Sequence, residues 1–503
     1  DMLWQYITVL RMQYRRFPLL QRVIGGRPSY RPAALQRGES CTGYCGDTLT
    51  AGRDDMKQII SVYENGVIKT HTYHIDFKPD GGLREKDVLN LYPSVTKQMF
   101  EGFGGAFTEA AGYVYSQLPH DKKEELMRAY FSENGLGYVF GRCPVDSCDF
   151  SLSEYGAVDD ESDRTLAAFS LARDERYIFP LIWDAQKLRP DLKFMLSPWS
   201  PPAFMKSNGR KTGGGRLRGE YAGMWADYLC RYVMEYRQRG IPVFAMSIQN
   251  EPNSAQKWES CLFTAEEERD FIAGYLSFAL KQNGLEDIML TIWDHNKERL
   301  FDRAAAVLSD PAVDEAVGAV GYHWYSGDHF EALDLVHRTY PGKKLIFTEG
   351  CVEHKYFGQD DLLTHARMYA HEIINGLNHG MHIFLDWNLC LDSHGGPNHA
   401  DNYCESPVMA TESGDDIRYN PSYAYIGHFS RYIKPGAVVI GLSRYSGNLE
   451  MTACKNPDGS LACVISNPQD ASQSCYLRVN GKIAGINLPA NSLSTFLIKL
   501  NYS

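Results

Sequence analysis

Eight short, apolar, β-rich runs alternate with stretches of helical period, and this alternation constrains the fold more than any other feature of the chain. The runs are residues 98–107, 138–144, 193–198, 242–249, 288–293, 316–323, 344–348 and 380–387. Between them apolar residues recur at helical spacing. Leu126, Tyr130 and Phe131 follow the charged segment 121–125, and Phe271, Tyr275, Phe278 and Leu280 follow Thr264-Ala265-Glu266-Glu267, a capping-box pattern. Strands separated by helices pair in parallel, because a parallel crossover is too long for a tight turn. Eight such units over about 335 residues predict a (β/α)8 TIM barrel with insertions. A doubly wound sheet competes, but its Gly-rich fingerprint is missing: Gly102-Phe103-Gly104-Gly105 is followed by Phe107 where glycine is needed, and segment 211–216 lacks the order of a phosphate loop.

The two ends of the chain read differently. Residues 57–76 hold strand-like runs around Glu64-Asn65-Gly66, a hairpin signal. From about Val438 short β runs return, at 461–465, 475–479 and 494–498, separated by Asn456-Pro457-Asp458-Gly459 and Asn480-Gly481. These segments are expected to form one smaller β-sandwich beside the barrel, with residues 56–97 and 436–503 contributing to it and 98–435 forming the barrel. Residues 1–55 carry eight Arg and no Lys, with no strand or helix period, and read as a poorly ordered extension.

Composition bounds the partners. The 503 residues carry 51 Lys+Arg against 62 Asp+Glu, a net charge of −11, which argues against a nucleic-acid partner. No run of about 18 uncharged apolar residues exists, so no integral membrane segment is expected. The 12 Cys are dispersed, and Cys41/Cys45 and Cys143/Cys148 have no second pair at zinc-site distance, so no metal site is expected. Residues 1–30 have no continuous apolar core of a signal peptide, which with the dispersed thiols leads to the expectation of a cytoplasmic protein with reduced cysteines. Oligomeric state is left open.

A barrel places its chemistry at the C-terminal ends of its strands. Those positions hold Glu109, Arg142, Asp149, Trp199, Asn250, Glu251, Asp294, His295, His323, Trp324, Tyr325, Glu349, Asp386, Trp387 and Asn388. Glu251 and Glu349 close the fourth and seventh runs, so both carboxyls reach one point at the barrel mouth. Glycoside hydrolysis needs such a pair, one to protonate the leaving oxygen and one to attack the anomeric carbon; a separation of about 5 Å makes the outcome retaining. Two carboxyls that close also split their pKa values. Asn250 suits a hydrogen bond to a sugar 2-hydroxyl, Tyr325 suits orienting Glu349, and Trp199 and Trp387 suit a stacking floor or a packed barrel cap.

These residues sit in blocks that resemble glycoside hydrolase family 30, which contains the acid β-glucosidases (glucosylceramidases). The blocks are Gly102-Phe103-Gly104-Gly105-Ala106-Phe107-Thr108-Glu109, Ser147-Cys148-Asp149-Phe150-Ser151, Ser197-Pro198-Trp199-Ser200-Pro201-Pro202, Gln249-Asn250-Glu251-Pro252, His323-Trp324-Tyr325, Thr348-Glu349-Gly350-Cys351, Asp386-Trp387-Asn388 and Gly395-Gly396-Pro397-Asn398. The resemblance spans roughly residues 98–435. It implies a TIM barrel fused to a β-sandwich, and a retaining exo-β-glycosidase acting on a carbohydrate or glycoconjugate, most simply a β-glucoside. It implies Glu251 as acid/base and Glu349 as nucleophile. It also implies that Asp149, Trp199, Asn250, Trp387 and Asn398 bind the sugar, that Arg142 and Tyr325 support the nucleophile, and that no cofactor takes part. The loop Asn253-Ser254-Ala255 with Lys257-Trp258-Glu259 departs from the pattern and is expected to shape the aglycone site. A β-xylosidase, β-fucosidase or β-1,6-glucanase of the same mechanism is the nearest alternative, and a carbohydrate-binding protein without catalysis the more remote one.

Overall fold

The computed structural model describes residues 55–64 and 66–499. The Arg-rich extension, Cys41, Cys45 and Asn65 of the hairpin turn lie outside them. Eight parallel strands close into a barrel: Gly102–Ala106, Phe140–Val145, Lys193–Pro198, Val243–Ser247, Met289–Asn296, Val317–His323, Lys344–Glu349 and Met381–Asn388. Closure comes from the eighth strand pairing with the first, Phe384 opposite Phe103 and Asp386 opposite Gly105. All eight expected runs supply one of these strands.

Alternation along each strand divides the apolar residues between two cores. Phe140, Met195, Ala245, Ala319, Ile346, Ile383 and Leu385 fill the barrel interior. Phe103, Phe194, Leu345, Phe347 and Phe384 face outward into the layer packed against the helices. The first strand is glycine-rich for packing reasons. A Cβ on Gly104 would lie 2.3 Å from the Phe140 carbonyl oxygen, so only glycine lets these two strands approach.

A sheet of ten strands forms the second layer, built from both chain ends. In order its strands are Val67–Asp76, Asp55–Glu64, Ser492–Lys499, Leu461–Asn467, Glu450–Lys455, Ala437–Ser443, Val88–Phe100, Gln473–Val479, Lys482–Leu488 and Lys78–Pro79. Among the described residues the first strand lies beside the last, Ile59 opposite Thr495. Its own core gathers Met56, Leu89, Ile440, Met451, Leu477, Phe496 and Ile498.

Two expectations need correction. The run 98–107, read as one strand, is two: Val88–Phe100 belongs to the sandwich, with Phe100 opposite Ala437, and Gly102–Ala106 opens the barrel. Only Glu101 separates them, so hydrophobic pattern alone runs them together. The apolar set Phe271, Tyr275, Phe278 and Leu280 is also not one buried face. Thr264 caps the helix Ala265–Phe271 through the expected box with Glu267, but the chain then widens into a π turn over Ile272–Leu276. That turn rotates the later residues, burying Ile272, Leu276, Ala279 and Leu280 and leaving Tyr275 and Phe278 exposed.

Candidate active site

Glu349 ends the seventh strand on a register shift. Tyr322 pairs with Phe347, but His323 pairs with Glu349, so Thr348 is an extra residue in the ladder. Phe347 faces outward. Simple alternation would send Glu349 outward with it, and the bulge returns it to the face occupied by His323. A second shift, around Asp294 in the fifth strand, re-aims that side chain similarly, with Trp293 at φ +70° and Asp294 at +48°. Glu251 also has left-handed backbone, φ +47°, and its N–H donates to the Asp294 carbonyl (3.0 Å). Such conformations persist only where surroundings enforce them, and here they crowd one end of the barrel.

Arg142, wholly buried at the second strand, organises that end. Its guanidinium donates to Glu349 Oε2 (2.6 Å), Asn250 Oδ1 (2.8 Å), Asp294 Oδ2 (2.9 Å) and Ser197 Oγ (3.0 Å). Glu349 Oε1 accepts from the Tyr325 hydroxyl (3.0 Å). Both carboxylate oxygens of Glu349 therefore carry a donor. Glu251 is held differently: Oε1 lies 3.5 Å from His323 Nδ1 and 3.9 Å from His295 Nε2. His323 Nε2 meets Asp294 Oδ1 at 3.0 Å, so the imidazole bridges two carboxyls.

Electrostatics follow from this packing. Burial disfavours charge on His323, but Glu349, Asp294 and Glu251 outweigh it and hold the imidazolium up to about 9. Burial also works against Asp294, yet Arg142 and His323 keep it well below the usual carboxylate range. Burial raises the Glu349 carboxyl against the pull of His323 and Arg142. At Glu251 burial is outweighed by the His323 and His295 rings, which hold it below its ordinary value. The two histidines that flank Glu251 stand at the ends of the fifth and sixth strands. Sequence places them on the rim, but their contact with Glu251 depends on the strand register.

A cavity of about 220 Å³ opens over the pair, walled by Asp149, Trp199, Asn250, Trp387 and Tyr325. Trp199 and Trp387 stack at 5.4 Å, with the Arg142 guanidinium 4.9 Å from one ring and 5.4 Å from the other. Burial pushes the Asp149 carboxyl up to about 8, although Asn402 donates to it (3.0 Å) and opposes the rise. Asn398 does not line the cavity. Its Oδ1 accepts from the Ala400 and Asn402 N–H groups and its Nδ2 donates to the Asn402 carbonyl, so the side chain shapes the loop that presents Asn402. Of the divergent loop, Ser254, Gln256 and Trp258 reach the cavity, together with Tyr356 and Phe357 beyond the seventh strand. Among the described residues no group of three His, Cys, Asp or Glu side chains is arranged to hold a metal ion, and no helix is long and apolar enough to cross a membrane.

Comparison with known proteins agrees with this architecture. Residues 100–433 match the glycosyl hydrolase family 30 TIM-barrel domain, and residues 436–496 match the family 30 beta sandwich domain. The lysosomal acid glucosylceramidase of Mus musculus is 34% identical over 398 residues, covering 76% of this chain and 77% of that protein. The crystal structure of SrfJ from Salmonella typhimurium superposes with a TM-score of 0.85 at 37% identity, covering 89% of this chain and all of that one. The endo-β1,6-glucanase BT3312 superposes with a TM-score of 0.78 at 25% identity, covering 88% of this chain and 99% of that one. The chain belongs to glycosyl hydrolase family 30 and is a glycoside hydrolase.

Proposed function

We propose that the chain is a retaining exo-β-glycosidase of glucosylceramidase type that cleaves β-glucosides, with Glu349 as nucleophile and Glu251 as acid/base. The observation that carries this reading is the unequal support of the two carboxyls. Glu349 has a donor on each oxygen, which favours a carboxylate aimed by Arg142 and Tyr325. Glu251 is held more loosely, 3.5 Å from His323 Nδ1 and 3.9 Å from His295 Nε2, and of the two it is the more open to solvent, with 14% of its side chain exposed against 9%. A bound glycoside strips that remaining water from Glu251 and so raises its pKa, toward the protonated form that an acid needs.

The reaction is a double displacement. Glu349 attacks the anomeric carbon while Glu251 protonates the departing glycosidic oxygen; Glu251 then deprotonates the water that releases the sugar. Asn250, fixed by Arg142, meets the 2-hydroxyl. Asp149, held up to about 8 and so protonated near neutrality, both donates to and accepts from sugar hydroxyls. Trp199 and Trp387 form the floor.

Hydrolysis of 4-nitrophenyl β-glucoside, xyloside, fucoside and galactoside by wild type and Glu251→Ala, with and without azide, tests the reading. Cleavage of the glucoside, its loss in the variant and its rescue by azide are expected. A Glu349→Gln protein with full activity refutes the assignment. Release of sugar from β-1,6-glucan but from no aryl glycoside replaces the exo reading with an endo-glucanase.

A further inference from the structure

We infer that Cys351 and Cys404 form a redox-active pair in the wall of the catalytic cavity, able to close into a disulfide. Their sulfurs lie 2.9 Å apart, inside the roughly 3.5–4.0 Å optimum for non-bonded heavy atoms. The neighbouring residues pair in a short antiparallel ribbon, Val352 opposite Glu405 and Glu353 opposite Cys404, which fixes the two thiols against one another. Closing the S–S bond requires an approach of only about 0.9 Å. Cys351 lines the cavity, whereas Cys404 is wholly buried behind it, so a small oxidant entering the cavity reaches Cys351 first.

The step balances with hydrogen peroxide as the two-electron oxidant. The Cys351 thiolate attacks one peroxide oxygen; the O–O bond breaks, an S–O bond forms and water leaves. The Cys404 sulfur then attacks the Cys351 sulfenic sulfur, the S–O bond breaks, S–S forms and a second water leaves. Two thiols are oxidised and one peroxide is reduced to two waters. Burial pushes the Cys351 thiol up to about 11 and raises Cys404 as well, so little thiolate is present near neutrality and the bridge forms faster as pH rises.

The pair touches both halves of the site. The Cys351 N–H donates to the Tyr325 hydroxyl (3.3 Å), which holds Glu349, and Asn402, two residues before Cys404, donates to Asp149. Bridging pulls on both: the approach of about 0.9 Å is shared by two sulfurs, about 0.45 Å each, and against the roughly hundredfold cost of a 1 Å misplacement this lowers turnover by about tenfold. The part concerning turnover rests on the proposed glycosidase activity; the bridge itself does not.

The test treats purified protein with hydrogen peroxide at neutral and alkaline pH, blocks free thiols with N-ethylmaleimide, digests without reduction and seeks the Cys351–Cys404 linked peptide by mass spectrometry. The linked peptide is expected, sooner at alkaline pH, with turnover of the aryl glucoside down about tenfold and restored by dithiothreitol. Cys404→Ser abolishes the linked peptide and leaves the oxidation of Cys351 at the sulfenic acid or beyond. Recovery of both cysteines only as blocked thiols, or of Cys351 only as sulfinic or sulfonic acid, overturns the inference. An enzyme inactive on every glycoside that nonetheless yields the linked peptide leaves the redox pair standing and removes the functional reading instead.

Discussion

Tyr325→Phe isolates one hydroxyl at the centre of the proposed mechanism. The ring keeps its place, since its edge-on packing against His323, at 5.9 Å and 84°, involves no oxygen. What disappears is the donor to Glu349 Oε1 and the acceptor for the Cys351 N–H. A hydrogen bond to a charged group is worth about 1.5–3 kcal/mol, and about 1.4 kcal/mol is tenfold in rate. Loss of the bond therefore lowers kcat/KM by about 10- to 150-fold. The same loss moves the pH profile. The hydroxyl stabilises the ionised form of Glu349, so its removal raises the nucleophile's pKa. A nucleophile works ionised, and the acid limb shifts upward by about one to two pH units. Initial rates on 4-nitrophenyl β-glucoside from about pH 4 to about pH 9 report both effects. A variant with wild-type kcat/KM and an unmoved acid limb would show that Tyr325 does not act through Glu349.

His323→Asn removes the cation beside Glu251. Without it the Glu251 pKa rises, and because an acid must be protonated to act, the alkaline limb of the pH–rate profile moves up by about one unit; an unmoved limb refutes the coupling. His371 links the barrel helix Leu362–Asn378 to the sandwich strand Glu450–Lys455, with Glu450 at 2.6 Å and Asp328 at 3.1 Å. Burial disfavours its charge, but Glu450 and Asp328 hold its folded pKa up to about 10. Its stabilisation is complete below the unfolded value of about 6.5 and is lost as pH climbs toward the folded one. Thermal midpoints by circular dichroism fall by about 2–4 °C over that window, and His371→Gln flattens the decline; an equal decline in both proteins contradicts it.

The barrel was legible because its signal is local. Each strand is a short apolar run between turn residues, and each catalytic candidate stands just past such a run, as Glu251 does after Val243–Ser247 and Glu349 at the end of Lys344–Glu349. What escaped depends on register or on one residue's conformation. No pattern in segment 344–349 announces the extra residue at Thr348 that turns Glu349 toward His323. The contacts of His323 and His295 with Glu251 need two adjacent strands and a left-handed residue to be placed first. Asn398 and Asn402 are chemically equivalent and four positions apart. Only the loop's own hydrogen bonds show that the first is consumed internally while the second reaches Asp149. The π turn at Ile272–Leu276 defeats a 3.6-residue reading for the same reason.

In the proposed mechanism charge balance gives the two cations of the site a part in how Glu251 and Glu349 share a proton. Arg142 and the imidazolium of His323 face three carboxyls, Asp294, Glu251 and Glu349. Asp294 touches both cations and is held ionised. One positive charge then remains for Glu251 and Glu349, and burial holds the neighbouring Asp149 and Glu353 carboxyls up to about 8 and about 7, so the proposed mechanism has the pair share one proton. A further cation would lower the pKa of both carboxyls and weaken the acid; one fewer would raise both. Which carboxyl holds the proton is set by solvent access and donors. In this structure burial favours Glu349 and the histidines oppose protonation of Glu251. A bound glycoside desolvates Glu251, while the Arg142 and Tyr325 bonds to Glu349 persist. In the proposed mechanism the proton then passes to the carboxyl beside the leaving oxygen, so that substrate binding itself arms the acid and frees the nucleophile.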